Sequence, residues 1–277
     1  MTDLSIIIVS YNARDDLERC LRSLHEAPPA AVHEIIVVDN ASTDGSADAA
    51  RQRSSVRVID AGSNLGFAAA ANLGIRASAG RSLLLLNSDT IVPSGAVDTL
   101  MHELASHPEA SVVGPRLIDA DGRPELSFGR MISPLAEFRQ KRLARALERR
   151  DPSASRQVEA MTRSEQWPEW VSGACLLVRR ADAEAVGLLD ERFFIYTEDV
   201  DFCAAIRARG QRILFTPAAE VVHLRGRSVA SAPAAAGVAY RRSHLAFYEK
   251  HHPWLAPLLR LYLKLASLRS FARGDPR

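Results

Sequence analysis

Two acidic clusters, far apart in the chain, carry the residue types needed for chemistry on a charged substrate. The first is Asn87-Ser88-Asp89-Thr90, directly after the apolar run Leu83-Leu84-Leu85-Leu86. A carboxylate at the end of a buried strand is placed to bind a hard divalent cation, which would neutralise a diphosphate. The same Asp also suits a helix cap or a turn. The second is Glu198-Asp199-Val200-Asp201, behind the aromatic run Phe193-Phe194-Ile195-Tyr196. A carboxylate against such an apolar wall loses solvation, its pKa rises, and it gains the character of a general base. Acids gathered in a first helical turn, where the macrodipole favours them, are the plainer use. His223 follows Val221-Val222 and precedes Arg225 and Arg227, so it is either structural or part of a metal or phosphate site.

Elements that alternate between two periods must position these groups. Ser5 to Val9, Glu34 to Val38, Val56 to Ile59 and Leu83 to Leu86 are short continuous apolar runs, as in strands buried on both faces of a parallel sheet. Between them, residues 14–25 carry Leu17, Leu21 and Leu24 at helical spacing, and residues 66–78 form an Ala-rich helix that stops near Gly80. A helix opens at Asp44-Gly45-Ser46 with Asp44 or Ser46 as cap, and Pro93 suits the first turn of another. Strands alternating with helices imply right-handed βαβ units. Tyr11-Asn12, Asp39-Asn40, Gly62-Ser63-Asn64 and Asn87-Ser88-Asp89 all fall where these strands end. In open α/β sheets ligands bind at that edge, so four segments converge on one place.

Further along, Asp121-Gly122 reads as a turn and Arg139 to Arg150 as a basic helix, either solvated or a lid or membrane-facing patch. Asp151 to Ser155 reads as a loop. Ala174 to Val178, Ile213 to Phe215 and Val221-Val222 read as strands, and residues 181–189 and 199–209 as short helices.

The composition narrows the function. With 277 residues and 47% hydrophobic content, the chain supports a packed core. A formal net charge of +2 excludes a general nucleic-acid binder. Cys20, Cys175 and Cys203 are scattered and form no CxxC pair, as expected of reduced thiols in a cytosolic protein. The first residues lack a basic, signal-like start, and no apolar run is long enough to span a bilayer. There is neither a GxGxxG after the first strand nor a GxxxxGK[ST] loop, which disfavours dehydrogenases and P-loop NTPases. A nucleotidyltransferase would need a Gly-rich, Lys/Arg-bearing loop where Ser10-Tyr11-Asn12-Ala13 stands.

SIIIVSYN (5–12), EIIVVDNASTDGS (34–46), NLGFAAA (64–70), LLLLNSDT (83–90), WVSGACLLVRR (170–180), DERFFIYTEDVDFC (190–203) and VVHLR (221–225) resemble the family-2 inverting glycosyltransferases, in order along the chain. The NLGFA and TEDVDFC segments are most similar to the rhamnosyltransferase group. The resemblance implies an α/β GT-A fold, a mostly parallel sheet flanked by helices with a helical C-terminal extension. Residues 1–225 would form the catalytic domain, with 1–115 holding the donor, 116–225 the acceptor, and 226–277 the extension.

It further implies that Tyr11 and Asp39 bind the base and ribose, with Asn12, Asn64, Asn87 and Ser88 in the same nucleotide-sugar site. Asp89 matches the last acid of the DxD metal motif, whose first acid is here replaced by Asn87. His223 matches a residue that ligates the metal, Mg2+ or Mn2+, in some relatives. Asp199 matches the catalytic base, with Glu198 beside it, and Trp170, Gly173 and Ala174 lie in the segment bordering the acceptor. The expected reaction moves L-rhamnose from dTDP-L-rhamnose to a saccharide or lipid-linked saccharide in cell-surface polysaccharide synthesis. A UDP-hexose donor, or a non-catalytic nucleotide-sugar-binding protein, are the alternatives.

From residue 225 onward ten cations face only Glu249 and Asp275. Residues 254–273 form a basic amphipathic stretch with Trp254 and Tyr262 as interfacial anchors, expected to touch a membrane surface. Packing on the catalytic domain or on a second copy in a homodimer is the other use. The expected location is cytoplasmic, at the inner face of the membrane.

Overall fold

The computed structural model describes residues 2–224 and 233–272. Its strands are β1 (Leu4–Ser10), β2 (His33–Asp39), β3 (Val56–Asp60), β4 (Ser82–Asn87), β5 (Thr90–Ile91), β6 (Ala110–Ile118), β7 (Phe128–Gly129), β8 (Trp170–Val171), β9 (Cys175–Arg179) and β10 (Arg212–His223). Its described helices are α1 (Arg14–Glu26), α2 (Ser46–Arg51), α3 (Phe67–Arg76), α4 (Ala96–Ser106), α5 (Pro134–Glu148), α6 (Pro152–Met161), α7 (Arg180–Ala185), α8 (Glu198–Ala208), α9 (Pro233–His251) and α10 (Ala256–Ala272).

Eight strands form one sheet in the order β3-β2-β1-β4-β9-β6-β10-β5, and β7 and β8 pair as a separate ribbon. The pairings β2–β3, β1–β2, β1–β4 and β6–β10 are parallel. β9 runs antiparallel to both its neighbours. Its amino end therefore meets the carboxyl end of β4, where Ala174 O accepts the Asn87 N–H at 2.9 Å.

Successive side chains of a strand face opposite ways, so the apolar runs feed two cores. Ile6, Ile8, Leu84 and Leu86 pack with Leu17 and Leu21 of α1 and Leu100 and Leu104 of α4. Ile7, Leu83, Leu85, Leu176 and Phe215 pack on the other face with Ala71 and Ile75 of α3 and Phe202 and Ile206 of α8. Phe247 of α9 and Ala256 of α10 join that second core. Burial pushes the thiols of Cys20 and Cys203 up to about 12, and that of Cys175 in the same direction.

Several elements differ from the sequence reading. Asp151 to Ser155 is not a loop: Asp151 Oδ1 accepts the N–H groups of Ser153 and Ala154 at 2.7 and 3.1 Å, capping α6 with Pro152 at its first position. The two strands expected near 213–215 and 221–222 are one strand, β10, with an irregularity between Thr216 and Glu220 that accommodates Pro217. α4 begins beyond Pro93, after the left-handed Gly95. Gly45 rather than Asp44 or Ser46 stands at the cap of α2. Asp44 Oδ1 still accepts the N–H of Ser46, the first residue of α2, at 3.0 Å, while Oδ2 accepts the Arg14 N–H at 2.9 Å at the start of α1.

Candidate active site

The carboxyl edge of the sheet is braced by asparagines. Asn12 Oδ1 accepts the Thr43 N–H at 2.8 Å, joining the turn after β1 to the loop after β2. Asn40 Nδ2 donates to Asn64 Oδ1 at 3.0 Å, and Asn40 Oδ1 accepts the Leu65 N–H at 2.8 Å. The Asn12 and Asn64 side chains therefore shape loops at this edge. Tyr11 is 42% exposed beside them. Asp39 is buried and Oδ2 accepts the Ser42 N–H at 3.0 Å, while Oδ1 has no partner. A buried carboxylate oxygen left unpaired costs about 1–3 kcal/mol, which suits a group awaiting a ligand hydroxyl.

The same loop locks onto the second half of the chain. Gly66 has φ +80°, and a Cβ there would lie 2.2 Å from Phe194 O. The next residue, Phe67, donates its N–H to Phe194 O at 2.6 Å. The loop before α3 and the aromatic wall are thus one packed unit.

Ser88 and Asp89 are buried at the end of β4. β5 pairs Thr90 with His223, so Asp89 Oδ1 comes 3.4 Å from His223 Nε2. The other ring nitrogen, Nδ1, lies 3.2 Å from Glu125 Oε2. Burial alone would lower the His223 pKa, but the bonds and charges of Asp89 and Glu125 outweigh it and raise it to about 9. Glu125 escaped the sequence reading because it lies in a segment, residues 119–127, that forms no regular element. Arg225 and Arg227, read beside His223, lie outside the described residues.

This donor set fits a divalent cation. Ligand atoms at right angles on an ion, each at about 2.1 Å, are about 3.0 Å apart, close to the Asp89–His223 spacing. Glu125 on Nδ1 leaves Nε2 facing Asp89, as in carboxylate–histidine–metal triads. Asn87, in place of the first acid, supplies no charge. Among the described residues Glu103, His107 and Glu165 also bring ligand atoms within 4.8 Å of one another. His107 precedes β6, however, so that cluster sits at the opposite edge of the sheet.

The second acid stands across the β4–β9 junction. Gly173 donates its N–H to Asp199 Oδ2 at 2.8 Å, and Val200 donates to Oδ1 at 2.8 Å. Asp199 is partly exposed, whereas Glu198 is 7% exposed with Oε2 unpartnered. Burial raises both carboxyl pKa values above the usual range, and that of Glu198 is raised further by the Asp199 charge. Tyr196 and Thr197, just before them, have φ of 68° and 65°. Two successive left-handed non-glycine residues store strain that aims the start of α8. Nothing in the sequence signals that turn.

Of the acceptor-side residues, Gly173 and Ala174 lie at this junction. Trp170 is 7% exposed, and its Nε1 donates to Arg130 O at 2.8 Å, so its indole supports the β7–β8 ribbon from inside. Asp201 is buried and bonds Lys250 and His251 at 2.9 and 2.6 Å, away from the Asp199 carboxylate. Asp89, just beyond the end of β4, and Asp199, in the first turn of α8 and held by Gly173 just before β9, thus sit at the same sheet edge.

Comparisons with known proteins identify the family and the fold. The family model for glycosyl transferase family 2 matches residues 5–162. N-acetylglucosaminyl-diphospho-decaprenol L-rhamnosyltransferase of Mycobacterium tuberculosis is 34% identical over 273 residues, 93% of this chain and 89% of the relative. A low-salt glycan biosynthesis hexosyltransferase of Haloferax volcanii is 29% identical, over 77% of this chain and 64% of the relative. Among solved structures, a Pyrobaculum calidifontis mannosyltransferase in complex with GDP-Man and Mn2+ superposes with a TM-score of 0.62 at 18% identity, over 99% of this chain and 76% of that one. The fold is GT-A, and the chain is an enzyme of glycosyltransferase family 2.

Proposed function

We propose that this glycosyltransferase moves L-rhamnose, with inversion, from a dTDP-linked donor to the saccharide end of a lipid-linked acceptor in cell-surface polysaccharide synthesis. The observation that carries the reading is the Asp199 carboxylate, oriented by the Gly173 N–H at the sheet edge that also bears Asp89. The rhamnosyltransferase relative, alike over almost its whole length, supports the choice of sugar and acceptor class.

Residues 1–115 hold the donor. Tyr11 stacks on the base and the open Asp39 Oδ1 takes a ribose hydroxyl, on a rim fixed by Asn12, Asn40 and Asn64. Asn87 and Ser88 line the path of the diphosphate. Asp89 and His223 would hold Mg2+ or Mn2+, with Glu125 fixing the imidazole. Such an ion, when bound, neutralises the departing diphosphate.

Residues 116–225 present the acceptor. One Asp199 oxygen takes the proton of the attacking hydroxyl, on the sugar face opposite the leaving group, worth about 10²–10⁴-fold. Glu198, whose carboxyl burial and the Asp199 charge raise furthest, holds its proton more tightly than Asp199. Residues 226–277 bring the enzyme to its lipid-linked substrate at the inner membrane face. No described helix is long and apolar enough to cross a membrane. α10 and the two residues before it instead pack Leu255, Ala256 and Leu259 on the core and expose Trp254, Leu258, Leu261, Tyr262 and Leu265 as a stripe.

The test has two parts. A thermal-shift panel of nucleotide-sugars with Mn2+ should rank dTDP-rhamnose first. Asp199→Asn should bind that donor normally and lose transfer. A UDP-hexose ranked first would overturn the donor, and wild-type turnover in the variant would overturn the mechanism.

A further inference from the structure

Across the β7–β8 ribbon from Asp199 lies a groove of about 1020 Å³ between α5 and α6, at the upper end of ordinary small-molecule sites. Its wall is apolar, with Met131, Ile132, Leu143 and Met161. At its mouth Leu135 and Phe138 are 60% and 65% exposed, a cost in water that a covering ligand would remove.

The charge around the groove is one-sided. Arg130, Arg139 and Arg142 line it, and among the described residues none of the three has an acidic partner. The two acids at the groove are engaged. Asp151 caps α6, and Glu169 binds the Met131 N–H at 2.6 Å and Arg207 at 3.0 Å. The groove therefore offers an apolar trough with an unbalanced positive rim, which complements a long hydrocarbon ending in phosphate.

Its place in the fold adds a direction. Gly129 of the groove pairs with Trp170, and three residues further along the chain Gly173 holds Asp199. That is about 10 Å of extended chain. A ligand lying over the ribbon would put its saccharide at the base and its tail in the groove.

We propose that the α5–α6 groove binds the polyprenyl diphosphate part of the acceptor, with Arg130, Arg139 and Arg142 on the diphosphate and the trough on the first isoprene units. This rests on the lipid-linked acceptor reading above.

The experiment uses the full-length protein, free of metal, with farnesyl diphosphate as probe in calorimetry. Farnesol and inorganic diphosphate are the controls. Farnesyl diphosphate should bind at least tenfold more tightly than either. Arg139→Glu/Arg142→Glu and, separately, Phe138→Asp should each weaken it at least tenfold. All three positions are exposed, so circular dichroism and donor affinity should stay as in the wild type. Unchanged farnesyl diphosphate affinity in both variants would overturn the groove. So would variants that lose only their binding to phosphatidylglycerol vesicles, which would make the patch a membrane contact.

Transfer to a polyprenyl-diphosphate-linked saccharide separates this proposal from the reading beneath it. Transfer with an unaltered acceptor KM in the variants sinks the groove alone. Groove-dependent binding without any transfer by the wild type sinks the acceptor reading alone.

Discussion

Gly173 gives its backbone N–H to the carboxylate of Asp199 at 2.8 Å, and a Cβ on that glycine would stand 3.2 Å from the Asp199 Cβ. The proposed base is thus held by a residue with little room to grow. Gly173→Ala should push the Asp199 carboxylate out of line and lower kcat about 10²-fold, as small misplacements do. Donor affinity, set at the other side of the junction, should stay within twofold. Equal losses in kcat and donor binding would mean that Gly173 supports the whole edge rather than the base.

The pH profile should carry the mark of the carboxyl pair. Burial raises the Asp199 pKa, and the base must be ionised to work. Activity should therefore be lost as pH falls through a value above the ordinary carboxylate pKa of about 3.9. Glu198, raised further by burial and by the Asp199 charge, holds its proton to higher pH than Asp199 does. The isosteric Glu198→Gln should then cost under tenfold in kcat/KM, against more than 10²-fold for Asp199→Asn. An acid limb at the ordinary value would remove the desolvated base from the mechanism.

His223 is pulled between Asp89 and Glu125. Glu125→Gln should weaken Mn2+ binding about 10–100-fold, read by electron paramagnetic resonance without turnover. In the metal-free protein the sign for stability follows from a folded pKa of about 9, above the unfolded value of about 6.5. The stabilisation, on the order of 3 kcal/mol, is complete below about pH 6.5 and is lost as pH rises through about 9. Urea midpoints of the wild type across that range, with His223→Gln flat by comparison, provide the check.

Gly66→Ala should destabilise by about 2–4 kcal/mol, since the new methyl meets Phe194 O at 2.2 Å in a left-handed backbone. Because the same loop carries Asn64, donor affinity should fall with it. A Tm equal to wild type would show that loop and wall move independently.

Much of this site was legible in the sequence because strand ends are legible. The apolar runs before Tyr11, Asp39 and Asn87 mark where a parallel sheet stops, and the edge follows from topology. The acidic cluster Glu198 to Asp201 was legible from the aromatic run before it, and Asp199 within it only from the family resemblance. What stayed hidden depends on contacts between distant segments. Glu125 reaches His223 across 98 positions from irregular chain. β6 has Gly114 and Pro115 inside its apolar run, which masks the strand pattern, and Gly114 is there because Val171 lies 2.7 Å from where its Cβ would be. Asn12 and Asn64 share their residue type with ligand-binding asparagines, and only the structure reveals their bracing bonds.

Two acids on one helix, Asp199 and Asp201, should separate catalysis from stability. Asp201 is 2% exposed and fastens α8 to α9 through Lys250 and His251. Removing its charge leaves Lys250 with Asp190 alone and His251 without its carboxylate, and should cost about 2–3 kcal/mol, a Tm lower by about 5 °C or more. The Asp199 side chain faces the opposite way and, among the described residues, is held only by backbone N–H groups, so Asp199→Asn should leave Tm within about 2 °C while abolishing transfer. Asp201→Asn should do the reverse, retaining most of kcat at a temperature well below its Tm. If Asp201→Asn lost transfer while keeping its Tm, the assignment of roles along α8 would have to be exchanged.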